Sequence, residues 1–132
     1  MEQLTFAQHY ALGRQHMFDV ITKHLLTQMK QSREDIEGFE SLPSSSGAGC
    51  RYRGPNGLQC AVGCLIADSE YHEGLERTIV EHLDFITEFE DEKLEDFLGR
   101  LQRIHDNNIP TQWYAELEKI SKYFNLAFNP PA

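Results

Sequence analysis

The sequence predicts an α+β fold: one mostly α-helical domain with a single small antiparallel β-hairpin. Three observations lead there. Apolar residues recur at helical spacing before residue 31 and again from Leu75 onward. Between these stretches, residues 50–62 read as two short strands around a Gly54-Pro-Asn-Gly57 turn. With 132 residues there is chain for one core, so 1–132 is taken as a single domain.

The first long helix is expected from Arg14 to Gln31. Phe18, Ile21, Leu25 and Met29 form one stripe at i, i+3, i+7 and i+11. An earlier turn at about Thr5 to Ala11 either belongs to the same helix, weakened at Gly13, or is broken from it there. Ser32 to Gly49 breaks the periodicity. Its Leu42-Pro-Ser-Ser-Ser-Gly-Ala-Gly49 stretch cannot sustain a helix, and residues 40–49 read as a flexible connector.

The hairpin follows. Cys50 to Arg53 and Leu58 to Val62 are the arms, with Arg53 opposite Leu58 and Arg51 opposite Cys60. Asp68 and Ser69 suit the start of a short helix through Tyr71 to Glu76. Leu75, Ile79, Leu83 and Ile86 then predict a helix from about Arg77 to Glu88. Asp91 caps a helix from Glu92 to Asn107, which Pro110 ends. Thr111 caps the last helix, whose buried stripe is Trp113, Leu117, Ile120 and Phe124. Tyr114, off that stripe, is expected at the surface. Asn125 closes this helix and 128–132 is a short tail.

Composition bounds the function. The net charge is −9. From Ile66 to Gly99 twelve acids face two bases, Arg77 and Lys93, so this stretch carries −10 and the rest of the chain +1. A phosphate backbone would be repelled, so no nucleic-acid partner is expected. The acids read first as solvated helix faces and second as a docking surface for a basic protein. Whether they imitate DNA depends on their spacing in three dimensions. No apolar run is long enough to span a membrane, and the N-terminal residues lack a signal-peptide pattern. A cytoplasmic protein is the expectation. Three cysteines cannot close into pairs without one left over, which agrees with a reducing compartment.

Three groups of residues could carry chemistry. Cys50, Cys60 and Cys64, with His105 as fourth ligand, could surround zinc; buried packing is the plainer reading, and no cofactor is the default. In His105-Asp106, His105 lies on an apolar stripe and reads first as a partly buried histidine hydrogen-bonded to a carbonyl or carboxylate. A Cys–His nucleophilic pair would need both groups in contact. Arg51 and Arg53 could grip a carboxylate or phosphate, or simply pair with the acidic segment.

The run Cys50-Arg-Tyr-Arg-Gly-Pro-Asn-Gly-Leu-Gln-Cys-Ala-Val-Gly-Cys-Leu-Ile66, followed by Asp68 and Tyr71, resembles a family of small uncharacterised proteins from phages and bacterial genomes. Met17 to Gln28 with Ser32, and Leu101 to Asp106 with Trp113, Leu117, Asn125 and Leu126, agree with it. The resemblance covers the chain from about residue 17 and brings no activity with it. It implies a phage or prophage setting, where small acidic proteins often bind host proteins. The reading is therefore a non-catalytic protein that binds and modulates a host protein. The alternative is a metal- or small-ligand-binding protein, enzymatic or not, built on Cys50, Cys60, Cys64 and His105. A homodimer through the hairpin edge is a further expectation.

Overall fold

The computed structural model describes residues 3–33 and 50–131. The expected connector 40–49 lies outside them. Five α-helices order the described chain: α1 (Phe6–Ala11), α2 (Arg14–Gln28), α3 (Asp84–Thr87), α4 (Glu92–Asn107) and α5 (Pro110–Tyr123). Single 3₁₀ turns lie at Pro55–Gly57, Gly63–Leu65, Glu73–Leu75 and Val80–His82. α5 packs on both α2 and α4, and α1 packs on α2.

Local chemistry explains the helix ends. Thr5 accepts from the Gln8 N–H, and the Gln8 side chain accepts from the Thr5 N–H, a reciprocal cap on α1. Gly13, at φ +99°, breaks α1 from α2. Asp91 accepts from the Leu94 N–H at 3.0 Å, as its position predicts. Pro110, rather than Thr111, opens α5, taking the first helical position where no N–H is needed. Asn125 turns left-handed at φ +57°, and the Leu126 N–H reaches back to Ser121 O at 2.7 Å. The chain beyond it returns along α2. Gln15 both donates to Ala127 O and accepts from Ala127 N–H, and Phe128 packs against Phe18.

The core is continuous. Phe18, Ile21, Leu25, Phe97, Leu98, Leu101, Trp113 and Leu117 are all fully buried, as the stripes predict, whereas Met29, expected on the first stripe, is exposed because α2 ends at Gln28 and Met29 turns left-handed. Tyr114 is half exposed. No described helix is long and apolar enough to cross a membrane.

The α+β expectation is overturned, because the described residues hold no strand and no β-hairpin. What exists is two isolated bridges, Arg33 with Cys50 and Arg53 with Gln59. The turn forms as expected, with Asn56 at φ +59° and Gly57 at φ +79°. Its arms do not build a ladder, and the register is one residue from that expected. The reason lies in competing acceptors and donors. The Tyr52 and Arg53 N–H groups go to the Glu76 carboxylate at 2.8 and 3.1 Å. The Gln59 N–H goes to the Gln28 side chain, and Gln59 O accepts from Gln28 and His24. Side chains have taken the partners a second strand would supply.

The helix expected from Arg77 to Glu88 shrinks to the Val80–His82 turn and α3, and Tyr71 to Glu76 holds only the Glu73–Leu75 turn. Ile79, expected on the buried stripe, is 58% exposed. Leu75, Val80, Leu83 and Ile86 are buried without a continuous helix beneath them. Spacing alone could not distinguish a helix from a chain that dips repeatedly into a core.

Candidate functional site

Residues 60–66 run through the interior rather than over the surface; Cys60, Ala61, Val62, Gly63, Leu65 and Ile66 are buried. A buried loop must find partners for its backbone groups, because an orphaned one costs about 1–3 kcal/mol. Here they come from side chains on three sides. Gln102 on α4 accepts from the Val62 N–H at 3.0 Å. Arg53 donates through Nη2 to Ile66 O at 2.7 Å. Glu70 accepts from the Ala67 N–H at 3.1 Å. Close packing adds a second constraint: a Cβ on Gly63 would lie 2.1 Å from Tyr52 O.

Against this loop sits a polar cluster. Ligand atoms of Cys50, His105 and Asp106 lie within 4.8 Å of one another, the one such group of three among the described residues. His105 is fully buried and stacks beside Trp113 at 5.4 Å between ring centres. Its Nε2 accepts from the Ser32 N–H at 2.8 Å, so the ring proton is on Nδ1 and is donated to Asp106 Oδ1 at 2.7 Å. Asp106 Oδ1 also accepts from Gln102 at 2.9 Å. The network thus ties α4 to the chain just after α2 and to the buried loop.

This geometry limits the chemistry. A metal on Nδ1 would drive the proton to Nε2, where the Ser32 N–H already points. A nucleophilic pair would need a free acceptor on His105, and both ring nitrogens are engaged. The cysteines are likewise unreactive in setting. Burial pushes the Cys50 thiol up to about 12, with the Asp106 carboxylate adding to it. Cys64 is also pushed up to about 12 by burial, and Cys60 well above its usual value. Cys60 and Cys64 do not join the cluster. Cys60 Sγ accepts from the Gly63 N–H, and the Cys64 thiol donates to Ala61 O at 3.0 Å. The expected four-ligand set is therefore not assembled; Cys50 and His105 meet, with Asp106.

Arg51 and Arg53 take the plainer of their two readings. Arg51 Nη2 bonds both oxygens of Glu73 at 2.8 Å, which holds the Glu73 carboxyl below its usual range. Arg53 pairs with Asp68 and lies over the Tyr71 ring. The residue that periodicity did not single out is Glu76. Its side chain is 4% exposed and accepts from Tyr52 N–H, Arg53 N–H and Tyr71 OH. Nothing in the sequence marked it apart from the eleven other acids of its segment.

A cleft of about 280 Å³ opens beside the cluster, lined by Cys50, Arg51, Glu81, Gln102, Arg103 and Asp106 among others. An adjoining hollow of about 290 Å³ shares Cys50, Arg51, Glu76 and Arg77. Comparison with known proteins finds no matching family model, no matching curated protein and no matching solved structure.

Proposed function

We propose that the chain is a non-catalytic protein of phage or prophage type that binds a basic surface of a host protein through carboxylates around the α3–α4 turn. The observation that carries this reading is the imbalance of that turn. Asp84, Glu88, Glu90 and Glu92 are exposed, and none has an ion-pair partner among the described residues. Glu90, at φ +50°, sits at the bend itself. Several other acids are paired within the chain: Glu73 with Arg51, Asp68 with Arg53, Asp96 with Arg100. Carboxylates left without internal cationic partners in one short stretch favour encounter with a cationic partner.

The test is capture from host lysate at low salt with the wild-type chain and with Asp84→Asn/Glu88→Gln/Glu90→Gln/Glu92→Gln. A specific partner that the wild type retains and the folded variant loses supports the reading. No specific partner, or one held equally by both chains, overturns it.

The cleft supports a second reading, a small polar ligand or metal ion held beside Cys50 and Asp106. Elemental analysis of freshly purified chain decides its metal form. About one zinc per chain, with thiols that react only after chelation, would establish it; metal-free protein would remove it.

A further inference from the structure

We propose that the His9–His16 pair is a pH-sensitive latch holding α1 against α2. His9 Nδ1 and His16 Nε2 are 2.9 Å apart. The ring centres are 5.2 Å apart with 20° between the planes. That is about as far as two imidazoles joined at this distance can reach. The nitrogens therefore face each other head on, and one proton fits between them.

Proton counting shows what the pair tolerates. In the neutral pair one ring donates and the other accepts. Adding one proton leaves the shared bond intact, because the charge goes to an outer nitrogen. A second proton places N–H against N–H and two positive rings side by side, so the contact must open. His9 is 8% exposed, while His16 is half-buried on α2.

The surroundings set the direction. Burial and then His16 lower the His9 pKa from 6.5, against a smaller opposing pull from Glu70. A histidine lowered in the folded state contributes stability that is complete above its unfolded value and is lost as pH falls below about 6.5. Two carboxylates face α1 from other elements. Glu70 accepts from the Phe6 N–H at 2.8 Å, and Asp91 accepts from Tyr10 OH at 3.0 Å. The latch is thus one of three polar ties on α1, and the one made between two imidazoles. The helix itself is only six residues long and depends on tertiary contacts, these ties and the buried Phe6 among them.

Amide hydrogen exchange at about pH 7.5 and about pH 5, corrected for intrinsic rates, tests this. The reporters are the His9, Leu12 and Gly13 amides, which donate to Thr5, Gln8 and Tyr10 carbonyls. Their protection is expected to fall about tenfold or more at the lower pH, while α4 amides change little. His16→Gln, which keeps a neutral hydrogen-bonding group and removes the second positive ring, should shrink the fall to the part that burial of His9 alone causes. Equal α1 protection at both pH values, or an undiminished fall in His16→Gln, overturns the proposal.

Discussion

A cysteine's reactivity depends on how much thiolate its surroundings allow, and here burial suppresses it at all three positions. With Cys50 and Cys64 pushed from 9.0 to about 12, their thiolate is about a thousandfold scarcer than at an open site. Thiol titration of the folded chain near neutral pH should show no fast phase. Unfolding should release three equivalent fast thiols. One rapidly reacting thiol in the folded chain would contradict the burial argument. At this scale the sequence was partly legible. His105 on an apolar stripe pointed to a partly buried, partnered histidine, and it is partnered and fully buried. The arginines pointed to the acidic segment, and they pair there. Glu76 was not legible, because its role depends on backbone groups 23 and 24 positions away.

The elements show where local pattern and tertiary demand part. α4 and α5 carry clear stripes and caps, and both formed within a residue or two of expectation. Residues 50–62 carried a turn signal of equal clarity, and only the turn formed. Gly63 explains why the stretch runs as it does. Its backbone lies against Tyr52 O, so the two passes of chain touch where a strand pair would need side chains. Gly63→Ala should therefore destabilise the fold by about 3 kcal/mol, roughly 10 °C in Tm. Gly99 on α4 is the contrast. A Cβ there meets only the far end of Glu81, 2.7 Å away, which can swing aside. Gly99→Ala should be near neutral in a thermal melt, since about 1 kcal/mol of helix propensity offsets the displaced Glu81–Arg103 pair. Similar losses in the two variants would refute the distinction.

Over the whole molecule, the chain is closed across a long gap. Arg33 and Cys50 are bridged, and the Arg51 N–H donates to Ser32 O at 2.8 Å. Residues 17 positions apart in the chain are thus held side by side.

By itself, the sequence determined the long helices to within a few residues, the Asp91 cap, the Pro-Asn-Gly turn and the concentration of negative charge. Each of these depends on neighbours within a few residues, where spacing and backbone preference decide. Only the tertiary structure decided that the arms of that turn would not pair, and that 77–88 would fold as short turns. It also decided that Cys50 and His105 would meet Asp106 without Cys60 and Cys64. The physical reason is common to all of them. A backbone N–H takes whichever acceptor the fold presents, and Glu76, Gln28 and Gln102 reach these amides from elements distant in the chain.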